Sequence, residues 1–307
     1  MEEDKKNDNI DIKTKRPPGR PRLKSVKKNI IYNSISGVPR KDTNSMEFIY
    51  DDPILFRKSL HIFKHLSVNE ISINFNAENV VMSAINNNNT EVIVVFDCNK
   101  INHYYCETPM SVTLNALNVE KVNKVIDSDI VKVTMIVKKS SSRSSIIFIF
   151  QNEKCIINTY EVNLIQPAQT KQVLSKSFNV DDYAIKFNIS DKFLKKIIIN
   201  SSLFSELIIL RQVGNDGNLT FSHSTDDKMI KSSYIISDSK FINLESKVEP
   251  LSIFNVSINI DYIKPLANAM ISNIIRVNVD EHQKIVFVGS LDNDAITISV
   301  SCVTETD

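Results

Sequence analysis

The apolar positions of this chain change period in a repeating order. From Met46 to Tyr50 they run as a short strand; Asp52 and Pro53 then supply an N-cap and a first helical residue. Phe56, Leu60 and Phe63, flanked by Leu55, Ile62 and Leu66, form a stripe at helical spacing. The opposite face carries Arg57, Lys58, His61, Lys64 and His65, with no acid among them. β-branched strands are predicted at Glu70–Asn76, Val80–Ile85 and Glu91–Asp97, separated by Asn-rich turns.

That order recurs. Tyr104–Leu114 reads as extended, and a helix is predicted from about Ala116 to Asp127. Leu117, Val122, Val125 and Ile126 face inward on it; Lys121 and Lys124 face outward. Strands follow at Ile130–Val137, Ile146–Phe150 and Cys155–Glu161. Asn163–Lys176 breaks the rhythm and reads as a linker. Beyond it, strand Tyr183–Ile189 leads through Ser190 as N-cap into helix Asp191–Asn200. Phe193, Leu194, Ile197 and Ile198 point in, while Lys192, Lys195 and Lys196 sit three and four apart on the other side. Strands Glu206–Arg211, Leu219–His223 and Met229–Ile236 follow, the first two joined by a turn between Gly214 and Gly217. The last unit has strand Leu251–Ile260, Asp261 as N-cap and helix Tyr262–Ile271, with Ile263, Leu266, Ala267 and Met270 apolar and Lys264 exposed. Strands Arg276–Asp280, Ile285–Gly289 and Ala295–Val303 close it. The predicted class is α+β: four βαβββ units arranged two plus two, in similar domains at 46–162 and 178–307 joined by a linker at 163–177.

Charge sharpens this picture. The 307 residues hold 37 basic and 36 acidic side chains, but residues 1–45 carry a net +6 and the remaining body a net −5. The four predicted helices bear Arg57, Lys58, Lys64, Lys121, Lys124, Lys192, Lys195, Lys196 and Lys264 against Glu120, Asp127 and Asp191, leaving the rest of the body at −11. Solvated helix faces ordinarily mix signs, often as Glu–Lys pairs. If the helices share one surface, it is cationic against an acidic outer wall, and duplex DNA is tolerated only on the helical side. Lysines without an aromatic or amide reading set contact phosphates rather than bases. One chain cannot surround a duplex with four helices, so such a surface requires oligomeric closure.

Residues 1–45 lack periodic hydrophobicity and read as a disordered basic arm. Within them KTKRPPGRPRLKSVKK resembles an AT-hook. Arg16, the prolines and Gly19 hold an extended, closely approaching segment; Arg20 before Pro21 suits the narrow minor groove; Arg22 and Lys24 extend the charge. A nuclear-localisation signal or a solubilising tail is the competing reading.

Candidate chemistry is sparse. Four cysteines without framework or CxxC spacing point to a reducing, intracellular setting, and no apolar run reaches membrane-span length. His61 and His65 lie at i and i+4, but the Glu of a metalloprotease helix is missing; Cys98, His103 and Cys106 offer three zinc ligands without an evident fourth. There is no GK[ST], nucleophile elbow or acid cluster suited to two-metal chemistry. No enzyme, cofactor, metal or membrane partner is expected.

The segments FIYDDPILFRKSLHIFKHL, NHYY at Asn102–Tyr105, LNVEKVNKVI at Leu117–Ile126 and YIKPLANAMI at Tyr262–Ile271 together resemble the proliferating cell nuclear antigen-like sliding clamps of large DNA viruses. The similarity runs from about Met46 to Val303. It implies a DNA clamp fold with helices on one face and sheets on the other, usually a homotrimeric ring that tethers a DNA polymerase, and possibly a ligase or nuclease, to double-stranded DNA at a viral replication site in host cytoplasm or nucleus. By position in such clamps, Leu164, Ile165 and Pro167 in the linker and Val300, Cys302 and Val303 near the end dock partners. A monomeric processivity factor of the same fold, or an AT-hook architectural protein, are the alternatives.

Overall fold

The computed structural model describes residues 43–87, 89–139, 144–166, 183–214, 218–225, 229–236, 242–250, 252–269, 272–280 and 284–303. The basic arm, with Arg16, Gly19, Arg20, Pro21, Arg22 and Lys24, lies outside them, as do Pro167 and linker residues 168–177.

The first half runs β1 (Asn44–Tyr50), α1 (Pro53–His65), β2 (Glu70–Phe75), β3 (Asn79–Ile85), β4 (Glu91–Asp97), β5 (His103–Cys106), β6 (Met110–Asn115), α2 (Ala116–Lys124), β7 (Ile130–Lys138), β8 (Ser145–Asn152) and β9 (Ile157–Asn163). The second repeats that order. Its elements are β10 (Tyr183–Ser190), α3 (Asp191–Ser201), β11 (Leu207–Val213), β12 (Leu219–Ser224), β13 (Lys231–Ile236), β14 (Glu245–Ser246), β15 (Ile253–Asn259), α4 (Ile260–Ala269), β16 (Ile274–Asp280), β17 (Lys284–Leu291) and β18 (Ile296–Val303).

The helices begin where side-chain oxygens meet otherwise unpaired backbone N–H groups. Asp52 Oδ1 accepts from Leu55 N at 2.9 Å, with Pro53 at the first position, and Ser190 Oγ accepts from Phe193 N at 3.3 Å. On α4 the expected cap moves: Asn259 Oδ1 accepts from Asp261 N at 3.0 Å, so Asp261 stands inside the first turn. The extended stretch 104–114 resolves into two strands, and the two-residue β14 is an element that hydrophobic period is too short to reveal. Leu117 is also corrected. It is 64% exposed, because the buried face of α2 runs through Val119, Val122 and Asn123 to Ile126, and Leu117 lies two residues off that line.

The strands form three antiparallel sheets. One is β5-β1-β7-β8-β9, a second β13-β12-β11-β15, and the third a nine-stranded sheet β14-β10-β16-β17-β18-β4-β3-β2-β6. The nine-stranded sheet crosses from one half of the sequence to the other at a single joint. There β18 pairs with β4, from Ile296 opposite Phe96 to Ser301 opposite Glu91. The core fills the space between sheets and helices. Phe48 of β1, Phe56 of α1 and Phe96 of β4 meet there fully buried, with Phe48 and Phe96 edge to face at 5.5 Å. Each such ring contributes about 1.5–3 kcal/mol by burial, so truncating Phe56 to Ala costs about 3–5 kcal/mol. In the second half Phe187 of β10 and Phe221 of β12 pack together with their ring centres 6.0 Å apart.

Candidate nucleic-acid interface

Helix α1 packs against both α2 and α4, and α4 packs against α3, giving a row α2–α1–α4–α3. The apolar stripe of each helix is turned to the sheets: Phe56, Leu60 and Phe63 on α1; Val119 and Val122 on α2; Leu194, Ile197 and Ile198 on α3; Ile263 and Leu266 on α4. Geometry therefore leaves the cationic residues to the other side. Arg57, Lys64, Lys121, Lys124, Lys192, Lys196 and Lys264 are exposed, and Lys58 and Lys195 half-buried. The helical acids are Glu120, Asp191 and Asp261, because α2 ends before Asp127.

These cations are not equivalent. Arg57 Nη1 donates to the Ile126 carbonyl at 2.8 Å while Asn123 Nδ2 donates to the Arg57 carbonyl at 3.1 Å. Arg57 thus ties α1 to the end of α2 and satisfies a carbonyl beyond that helix. Lys124 Nζ stands 2.7 Å from Glu120 Oε1, and Lys64 Nζ 3.9 Å from the same oxygen. Lys264 lies 3.9 Å from Asp261. Among the described residues, Lys58, Lys121, Lys192, Lys195 and Lys196 make no ion pair within 4.0 Å. Asp191 is 7% exposed; burial pushes its carboxyl above the usual carboxylate range, against the pull of Lys195 and Lys58. The Lys192–Lys195–Lys196 set on α3 is the least neutralised part of the row.

His61 and His65 stack edge to face at 4.6 Å on the same face of α1. Burial first, then Lys64 with Arg57 for His61 and His61 with Lys64 for His65, holds both below the ordinary imidazole range, Glu120 opposing. They are neutral polar members of a cationic face. Cys98 and Cys106 donate to the carbonyls of Phe96 at 3.9 Å and Thr108 at 3.1 Å, and burial pushes the Cys98 thiol up to about 12. His103 Nε2 sits 3.1 Å from the Glu47 carboxylate. Among the described residues, no three His, Cys, Asp or Glu side chains are grouped to hold a metal ion, and no helix is long and apolar enough to cross a membrane.

The proposed docking residues separate. Leu164 packs against the core, its N–H donating to Ser144 O at 2.8 Å, and Ile165 N donates to Thr113 O at 3.0 Å, so this first piece of the linker is stitched to β6 and to the approach to β8. Val300 and Cys302, at 0% and 1% exposed, are interior residues of β18 and offer no surface to a partner. The expectation for those two is corrected: alternate residues of a strand point into the core, and position near the chain end does not reveal which. The side chain of Val303 is outside the described set.

Residues 46–171 match the family model described as "Proliferating cell nuclear antigen, N-terminal domain". An uncharacterized protein of African swine fever virus is 27% identical over 290 residues in the Kenyan pig isolate and the Namibian warthog isolate, covering 91% of this chain and 94% of that protein. The crystal structure of proliferating cellular nuclear antigen (PCNA) from Entamoeba histolytica superposes with a TM-score of 0.69 at 13% identity, over 86% of this chain and all of the other. The chain has the PCNA fold. Its two repeated halves, helices in one row and sheets behind them, are the PCNA-like architecture, and its curated relatives are viral proteins.

Proposed function

We propose that this chain is the subunit of a DNA sliding clamp: a processivity factor, not an enzyme, that keeps duplex DNA along the helical row and tethers replication enzymes to it. The reading takes 46–162 and 178–307 as the two clamp domains, 163–177 as the connecting linker and Leu164, Ile165 and Pro167 as the start of the partner-docking segment. The basic arm adds an AT-hook-like contact through Arg20 and its neighbours.

One observation carries it. In the repeated order β9 is the counterpart of β18, and β13 the counterpart of β4. Inside the chain β18 and β4 are paired, whereas β9 and β13 are the outer strands of the five- and four-stranded sheets. Pairing β9 of one copy with β13 of the next repeats the internal joint and yields a second nine-stranded sheet. Such a contact is head-to-tail, so repetition closes a ring when the rotation permits, here three copies. The apolar residues are in place for it: Ile156 and Ile157 at the start of β9, and Ile230 and Ile235 on and beside β13, are 38–59% exposed. Unpaired strand edges of this kind are ordinarily blunted unless they have a partner.

The test is the mass of the full chain by light scattering together with its retention on circular and linear duplex DNA. A three-copy mass with retention on circles and loss from free linear ends supports the reading. A single-copy mass with equal retention on both replaces it by a monomeric processivity factor. Survival of polymerase stimulation after deletion of residues 1–45 separates the clamp from an AT-hook architectural protein, in which that deletion abolishes activity.

A further inference from the structure

Glu120 is the one acid on α1 and α2, and it stands where the two helices face each other across a cleft of about 180 Å³. His61, Lys64, Glu120 and Lys124 rim this cleft, and Leu60 and Val119 line its floor. A single carboxylate oxygen, Glu120 Oε1, receives ammonium groups from both helices: Lys124 at 2.7 Å and Lys64 at 3.9 Å. The Arg57–Ile126 and Asn123–Arg57 hydrogen bonds hold the helices in register, so the spacing of the two lysines is set by the fold and not by Glu120.

An oxyanion held between lysines from two neighbouring helices has the chemistry of a bound phosphodiester oxygen. Exposed Glu–Lys pairs stabilise a helix only slightly, which makes the carboxylate easy to displace. We propose that the α1–α2 cleft is a seat for one backbone phosphate of duplex DNA, and that Glu120 is a built-in competitor that fills the seat and weakens duplex binding at this point of the row. The inference rests on the clamp reading above. It divides the helical surface in two. The α3 lysines supply attraction, while the α1–α2 cleft takes a phosphate only when Glu120 yields it, which keeps each contact short-lived as the duplex advances. Hydrogen bonding to Lys124, aided by the charges of Lys124 and Lys64, holds the Glu120 carboxyl below its usual range, so the competitor stays ionised at neutral pH.

The test is fluorescence anisotropy of a labelled duplex against the full-length chain over a range of salt. Glu120→Gln is expected to bind about 3- to 10-fold more tightly, with a log–log salt slope steeper by about 0.9 for the added phosphate contact. Glu78→Gln, with the same charge change in the exposed β2–β3 turn, is expected to leave both unaltered. Lys124→Ala should matter little alone and remove the gain in the Glu120→Gln background. An unchanged affinity and slope in Glu120→Gln overturns the proposal. So does an equal gain in Glu78→Gln, and so does a gain for inorganic phosphate with none for the duplex. Charge reversal of Lys192, Lys195 and Lys196 separates the two levels. If it abolishes duplex binding while Glu120→Gln is silent, the clamp reading stands and the phosphate seat falls; if it too is silent, the clamp reading falls.

Discussion

The Tyr50 hydroxyl donates a 2.7 Å hydrogen bond to the Asp292 carboxylate, joining the end of β1 to the turn before β18 across 242 residues of sequence. That turn is unusual in its backbone: Asp292, Asn293 and Asp294 all have left-handed φ, at 52°, 50° and 65°. Asp and Asn tolerate this region better than other side-chain-bearing residues. Lys100 Nζ also reaches the Asn293 and Asp294 carbonyls at 3.3 Å. The β18–β4 joint is thus braced from the side by two contacts between the halves. Tyr50 is 2% exposed, and Tyr50→Phe leaves the carboxylate without its donor. The expected loss is about 1.5 kcal/mol of unfolding free energy, the lower end for a hydrogen bond to a charged group. Urea unfolding checks it; a midpoint unchanged from the parent contradicts it.

The proposed intersubunit joint has a separate signature. Ile235→Glu on β13 or Ile157→Glu on β9 places a charge on an exposed outer strand that pairs only in the proposed assembly. Either change is expected to reduce the light-scattering mass to one subunit, while thermal unfolding of the subunit shifts by no more than about 0.5 kcal/mol. Retention of the full mass in both variants rules out these edges as the joint.

Acid should weaken the second half through His223. This residue is 4% exposed, its Nδ1 lies 2.9 Å from Ser201 Oγ, and Phe204 stacks on its ring at 5.8 Å. Burial holds its pKa below the ordinary 6.5. The unfolded chain protonates first as pH falls, so stability is level above about pH 6.5 and declines below it, through the interval down to the lowered folded value. His223→Gln is expected to flatten that part of the urea-midpoint profile. A parent profile with no decline between about pH 6.5 and 5 contradicts the assignment.

Gly214 closes the β11 end with φ +64°, its N–H donating to Ser252 O at 2.8 Å. A Cβ there meets the Pro250 carbonyl oxygen at 2.5 Å. Gly214→Ala combines a left-handed backbone with that collision and is expected to cost more than about 1–2 kcal/mol. Equilibrium unfolding would show it, and a neutral Ala variant would mean that the turn relaxes freely.

Local signals in the sequence reached much of this architecture. Asp52–Pro53 and Ser190 mark helix starts because a cap is a contact over three residues, and the stripes of α1 and α3 follow from helical spacing alone. What escaped was non-local. Asn259 displaced Asp261 as cap because both residue types cap well and only backbone geometry decides. The burial of Val300 and Cys302 depends on β18 lying between β17 and β4, the latter in the other half of the sequence. On the candidate interface, nine cations could be counted from the sequence. That Arg57 is committed to Ile126 O, and that Glu120 meets Lys64 from another helix, required the helices to be side by side.

The central claim is that the duplex is held along the helical row inside a closed assembly. The most direct measurement loads the full-length chain onto a nicked circular duplex, linearises the DNA with a single cut and follows retention by gel filtration. The account predicts that the chain stays on the circle, leaves once free ends exist, and is not retained when Lys192, Lys195 and Lys196 are reversed in charge. Retention that is the same before and after the cut, or unaffected by the α3 reversal, would contradict it.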